Sequence, residues 1–118
     1  MCIRDSTKAK KIIGRNKIIG ITCHNSKNLI KEAIKNKANY IALGAFNKSL
    51  TKKIKYRAQI STLKWVKSNY KTNVVAIGGI NDKNYKKLLL NNADFLAISD
   101  YIWNNKKLNP REATKKLL

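Results

Sequence analysis

Four short runs of β-branched and apolar residues, each followed by a stretch with helical spacing, constrain this chain more than any other feature. Lys17-Ile18-Ile19-Gly20-Ile21-Thr22, Tyr40-Ile41-Ala42-Leu43-Gly44, Asn73-Val74-Val75-Ala76-Ile77 and Asp94-Phe95-Leu96-Ala97-Ile98 have strand length and strand composition. After the first run, Asn25 or Ser26 can cap a helix in which Leu29, Ile30, Ala33 and Ile34 share one face. After the second, a long loop from Ala45 to Arg57 leads to a helix with Ile60, Leu63 and Val66 at helical spacing. After the third, a helix from Asp82 carries Tyr85, Leu88 and Leu89. After the fourth, a turn at Ser99-Asp100 precedes a last helix that Asn109 caps and Pro110 opens. Four β–α units in series imply a parallel sheet, because parallel neighbours need a crossover between them. The strands are apolar on both faces, as expected when helices cover one side and packed side chains fill the other.

Upstream, Lys8 to Ile13 reads as the end of a helix stopped by Gly14, which tolerates the left-handed C-cap conformation. Residues 1–6, MCIRDS, join nothing periodic and read as a translated adaptor scar outside the fold. No Pro-rich or Ser-rich linker divides the rest, so residues 7–118 form one domain. A complete (β/α)₈ barrel typically takes roughly 250 residues and at least about 200. At 118 residues the chain is therefore either a small complete fold or part of a larger one. Strand starts near 17, 40, 73 and 94 match the pitch of barrel units and would equally suit an open doubly wound sheet.

A formal charge of +20, from 26 Lys+Arg against 6 Asp+Glu, first suggests a polyanion partner such as nucleic acid. The excess is almost all Lys, however, whereas bidentate recognition of phosphates and guanines favours Arg. Lys, Asn and Ile dominate the chain and share A/T-rich codons, so codon bias accounts for much of the charge and nucleic acid is not the expected partner. Of the two cysteines, Cys2 and Cys23, neither lies in a CxxC, and His24 is the one histidine. That pattern resembles neither a metal set nor a disulfide framework, and a reducing, cytoplasmic setting fits it. No stretch approaches the roughly 20 apolar residues of a membrane span, and the start lacks an export signal.

In parallel architectures the loops after the strands' C-terminal ends form the site. Here those loops hold Thr22-Cys23-His24, Ser49 to Lys53, Gly78-Gly79 and Ser99-Asp100. Ser49, Thr51 and Lys52 put two hydroxyls and an ammonium on one short loop, which suits an oxygen-rich anion; a solvated Lys-rich loop reads the same way. Gly78-Gly79 leaves backbone N–H groups unshielded ahead of a helix, as an anion site or as a plain tight turn. His24 can serve acid–base chemistry or simply hydrogen-bond in place. Cys23 reads as a small buried hydrophobe, and Trp65 and Trp103 as core or helix-edge packing.

In order and spacing, Ile19 to His24, Ala38 to Gly44, Leu50-Thr51-Lys52, Val75 to Ile80 and Ala93 to Ser99 resemble the second half of the thiamine-phosphate synthase and TenI-like superfamily, over residues 8–118. The runs TCHNS, LGAF, VAIGGI and FLAIS are similar to its alphaproteobacterial branch. The resemblance implies the C-terminal half, about four β–α units, of a (β/α)₈ TIM barrel. It also implies a transferase that joins a hydroxymethylpyrimidine diphosphate to a thiazole phosphate with release of diphosphate. Departure of the diphosphate would be assisted by Mg²⁺ and by hydrogen-bond donors. By resemblance, Ser49, Thr51 and Lys52 meet the diphosphate, Thr22 and Lys52 assist its departure, and Gly78, Gly79 and Ser99 face the thiazole phosphate.

The family's Gly-Pro-x-Phe-Pro-Thr loop reads Gly44-Ala45-Phe46-Asn47-Lys48-Ser49 here, with neither of its prolines. Its phosphate-binding serine aligns with Asp100, whose carboxylate would repel phosphate. By resemblance the pyrimidine and Mg²⁺ ligands belong to the family's first half; no Gln-Leu-Arg or His-Leu-Gly-Gln run occurs in this chain, and its one Asn-Asp pair, Asn81-Asp82, follows the third strand run. The expectation is a barrel missing its N-terminal half, inactive alone, whose partners are small phosphorylated substrates, the missing half and in addition a homo-oligomeric copy. Competing functions are a TenI-like thiazole tautomerase with His24 as the acid–base group, a non-catalytic binder of thiamine precursors, and a basic nucleic-acid-binding module.

Overall fold

A computed structural model of the chain describes residues 3–48 and 56–118. Among the described residues the elements run α1 (Ile3–Ile13), β1 (Gly20–His24), α2 (Lys27–Lys35), β2 (Tyr40–Leu43), α3 (Ile60–Asn69), β3 (Asn73–Ile77), α4 (Tyr85–Leu90), β4 (Phe95–Ala97), α5 (Asp100–Trp103) and α6 (Pro110–Lys115). The strands form one parallel sheet in the order β1-β2-β3-β4, so each helix between them is a crossover to the adjacent strand. This is the four-unit α/β arrangement that the alternating periodicities predict.

The two faces of the sheet differ. Ile21, Cys23, Ile41, Leu43, Val74 and Ala76 are buried in one core with Ile30 and Ala33 of α2, Leu63 and Val66 of α3, and Leu88 of α4. On the other face, Thr22, Ala42, Val75 and Phe95 stand in register across all four strands. Thr22 is exposed and Phe95 is 58 % exposed. That row would be interior in a closed barrel. Gly20 belongs to the same face: a Cβ there would overlap the ring of Tyr40, its partner in the β1–β2 register.

Local chemistry sets the element ends. Ser26 is the N-cap of α2, its Oγ accepting the Leu29 N–H at 3.3 Å, while Asn25, the other candidate, instead accepts the Gln59 N–H at 3.0 Å. Asn109 and Glu112 form a reciprocal capping box at α6, with Pro110 in its first turn. Gly14, at φ 87°, follows α1 and donates its N–H to the Lys10 carbonyl.

Several boundaries depart from the sequence expectation. Helix α1 ends at Ile13 but begins at Ile3, so residues 3–6, read as outside the fold, extend it, with Ser6 2 % exposed. Strand β1 starts at Gly20, not Lys17; Ile18 is 76 % exposed, and the Ile19 N–H goes to Asn39 Oδ1 instead of a strand neighbour. Asp100 opens the short helix α5 in place of the expected turn. Helix α4 starts at Tyr85, not Asp82, and only the first of its Leu88-Leu89 pair is buried. Trp65 packs edge-on against Tyr70, as expected of a helix-edge aromatic, but Trp103 is 71 % exposed and packs into no core.

Candidate functional site

The C-terminal ends of the strands are laced together by backbone hydrogen bonds. Register between β1 and β2 slips between Thr22 and His24, and His24 takes a left-handed φ of 53°. Such a bulge re-aims the side chain that follows it. The His24 carbonyl accepts the Gly44 N–H at 3.2 Å, fixing the end of β1 to the end of β2. Beyond β2, Phe46 and Asn47 donate to the carbonyls of Ile77 and Gly78, both at 3.1 Å, carrying the ladder with β3 past its strand residues. Where the chain returns, Ala45 donates to the Tyr56 carbonyl at 3.2 Å and Ala58 donates to the Ala45 carbonyl at 2.9 Å. The Tyr56 ring thereby lies against the His24 imidazole, centroids 4.7 Å apart and planes 38° from parallel.

Gly78 and Gly79 are required by this close approach. Both have positive φ, 96° and 59°; a Cβ on Gly78 would come within 2.6 Å of Ala45 Cα, and one on Gly79 within 2.9 Å of the Asn47 carbonyl carbon. The glycines let the loops after β2 and β3 touch. They lie ahead of a helix, as the sequence suggested, but α4 begins at Tyr85, six residues after Gly79, and not at Asp82. Asn81 and Asn84 fill the interval: the Asn81 N–H goes to Asn84 Oδ1 at 2.9 Å and Asn84 Nδ2 to the Gly79 carbonyl at 2.9 Å.

Between the loops after β3 and β4 lies a pocket of about 260 Å³ lined by Lys48, Gly79, Asp100, Tyr101 and Asn104, among others. Asp100 Oδ1 accepts from Asn104 Nδ2 at 3.0 Å, one helical turn on. The Tyr101 hydroxyl is buried without a partner at hydrogen-bonding geometry, and burial, then the neighbouring Asp82 carboxylate, push its pKa up. The pocket thus combines one ammonium, amide donors and a carboxylate.

Of the residues singled out in the sequence, Gly79 and Asp100 share this pocket; Gly78 packs against Ala45 outside the lining, and Ser99 is exposed at the N-cap of α5, also outside it. Thr22 is exposed on the open sheet face, and His24 is half-buried at its rim. Ser49, Thr51 and Lys52 lie outside the described residues. Cys23 is fully buried, and burial pushes its thiol from 9.0 up to about 11, as fits a small apolar core residue rather than a nucleophile. Lys48, Tyr56, Tyr101 and Asn104 were missed. Reading residue 100 as the start of a helix would have found Asn104 over Asp100; Lys48 and Tyr56 carry no local signal in so Lys-rich a chain. Among the described residues no three of His, Cys, Asp and Glu gather as a metal-binding group, and no helix is long and apolar enough to cross a membrane.

The thiamine monophosphate synthase family model matches residues 4–102. The thiamine-phosphate synthase of Pelagibacter ubique is 59 % identical over 113 residues, covering 96 % of this chain and 54 % of the relative. That of Nitrosomonas eutropha is 41 % identical over 95 residues, covering 80 % of this chain and 45 % of its own length. Among solved structures, the thiamine phosphate pyrophosphorylase from Pyrococcus furiosus superposes with a TM-score of 0.81 at 29 % identity, over 99 % of this chain and 52 % of that one. The chain thus spans about half the length of the relatives it matches, and its four β–α units correspond to half of their TIM-barrel fold. Taken with the glycine-supported junction of the loops after β2 and β3, these matches show that the chain belongs to the thiamine monophosphate synthase family.

Proposed function

We propose that this chain supplies the leaving-group and thiazole side of a thiamine-phosphate synthase site, with the pyrimidine and metal side coming from a second half barrel. The observation that carries the reading is the meeting of the strand-end loops, with Gly78 and Gly79 packed against Ala45 and Asn47, in a chain 59 % identical to a named synthase. In the proposed reaction the bond between the pyrimidine methylene and the diphosphate oxygen breaks, the electron pair leaves with the diphosphate, and the thiazole nitrogen bonds to the methylene carbon. Ser49, Thr51 and Lys52 hold the departing diphosphate, where hydrogen bonds and positive charge count most as negative charge develops. Thr22 adds a hydroxyl from the open sheet face. Gly79 and the residues around Asp100 receive the thiazole side chain.

Mg²⁺ belongs to this reading as charge neutralisation for the diphosphate. The described residues gather no donor set that fits it, and its ligands would come from the other half barrel. Soluble, cytoplasmic activity and a homo-oligomeric state are part of the same proposal. A specific observation also favours a second reading, the tautomerase: His24 sits at the strand mouth beside an aromatic ring. Retention of Thr51-Lys52, which such an enzyme would not need, ranks it second.

The test is to join the chain to the first half of the Pelagibacter ubique relative and assay thiamine phosphate from the two substrates. Activity is expected, falling by roughly 100-fold or more in Lys52→Ala. No thiamine phosphate from a folded chimera refutes the synthase reading, and unchanged turnover in Lys52→Ala refutes the role of Lys52.

A further inference from the structure

We propose that Tyr56 is the positioning residue for His24, setting the orientation of the imidazole at the mouth of the sheet. Among the described residues the His24 ring makes no hydrogen bond; its recorded contact is the Tyr56 ring at 4.7 Å. An imidazole used in proton transfer is normally oriented by a hydrogen bond through one nitrogen. Here an aromatic ring takes that place, and among the described residues neither nitrogen is engaged, so both can face a ligand.

The geometry of the pair is built from both sides. His24 follows the register slip in β1, is held at φ 53°, and has its carbonyl tied to the Gly44 N–H. A non-glycine residue in the left-handed region is costly unless its surroundings hold it there. Tyr56 is fixed in turn: its carbonyl accepts from Ala45, Ala58 donates back to Ala45, and three residues on the Gln59 N–H reaches Asn25 Oδ1, the side chain next to His24. The return limb of the loop after β2 is therefore stitched to the end of β1 and lays the Tyr56 ring on the histidine. Tyr56 itself is 48 % exposed, so packing into the core does not account for its placement. Tilted aromatic pairs at this separation are attractive beyond the area they bury.

The placement of the ring is independent of what the site catalyses; its catalytic consequence rests on the reading of His24 as an acid–base group. The experiment separates the two. Because the chain holds one histidine, the imidazole C–H resonances of His24 are unique in the proton spectrum. In the unmodified 118-residue chain, cross-relaxation between the Tyr56 ring protons and those of His24 is expected; its absence would overturn the proposal. Tyr56→Phe should keep the ring-current displacement of both His24 resonances, and Tyr56→Leu should remove it with the amide dispersion of β1 to β3 retained. Unmoved His24 resonances in Tyr56→Leu would refute the positioning role. In the completed barrel, Tyr56→Leu should lower kcat for thiazole tautomerisation, the reaction in which His24 is read as the acid–base group, on the order of 10- to 100-fold with KM little changed, and Tyr56→Phe should restore it. If His24→Gln leaves turnover intact, the acid–base reading fails while the resonance data still decide the orientation.

Discussion

Lys67 Nζ lies 2.8 Å from Asp94 Oδ2, and that same oxygen accepts the Val74 N–H at 2.7 Å. Lys67 also reaches the Thr72 carbonyl at 3.2 Å, so α3, the turn into β3 and the approach to β4 meet at one carboxylate. The site loops after β3 and β4 leave the opposite ends of these strands.

Asp94→Ala should therefore destabilise the chain by about 1.5–3 kcal/mol, the range for hydrogen bonds to a charged group, because the Val74 N–H loses its acceptor. Lys67→Met should cost less, about 0.2–1 kcal/mol, since the ion pair is partly solvated on both sides and the change leaves Val74 satisfied. Urea unfolding measures both. Equal losses in the two variants would mean that the ion pair, not the Val74 hydrogen bond, is the stabilising element.

How much of this was legible in the sequence varies with the kind of interaction. Strand β3, Asn73–Ile77, follows from its β-branched run, and the α6 cap follows from Asn109-Pro110, because both are decided by neighbours in the chain. Family membership could be read for a related reason: runs such as VAIGGI combine a strand with glycines that a close approach demands. The start of β1 was misplaced because Ile18 has strand chemistry but no strand neighbour. What fixes the edge is the long-range bond from Ile19 to Asn39. Lys48 and Tyr56 became visible as site residues only in three dimensions. One comes to Gly79 and the other to His24 through contacts that no sequence period encodes.

Asp100 faces the pocket that the proposed reaction gives to the thiazole side chain, with Lys48 in the same lining. A carboxylate a few Å from a phosphate in a water-accessible site opposes it by about 1 kcal/mol per charge. Asp100→Ser should accordingly bind inorganic phosphate about five- to tenfold more tightly than the unmodified chain, with the gain shrinking as salt is raised. Titration followed at the Gly79 amide resonance measures it. Equal phosphate affinity in the two proteins would show that the carboxylate is turned from the anion or already neutralised.

Cys23 gives the fold a pH dependence whose sign can be worked out. Its side chain is fully buried among Ile21, Leu43 and the helix layer, and burial raises the thiol from 9.0 to about 11. Below pH 9 the thiol is protonated in both the folded and the unfolded chain and adds no slope. Between pH 9 and 11 the unfolded chain releases the proton while the folded chain keeps it, so stability falls as pH rises, by about 2–3 kcal/mol across the window. Cys23→Ala loses packing and is less stable at every pH, but it should lack this increment, so the two stability curves should converge between pH 9 and 11. Lysine titration acts on both proteins and drops out of the difference. At pH 8 the same burial should leave Cys23 unalkylated by iodoacetamide in the folded chain and fully alkylated in urea, read by peptide mass. Parallel stability curves together with native-state labelling would place the thiol in contact with solvent instead.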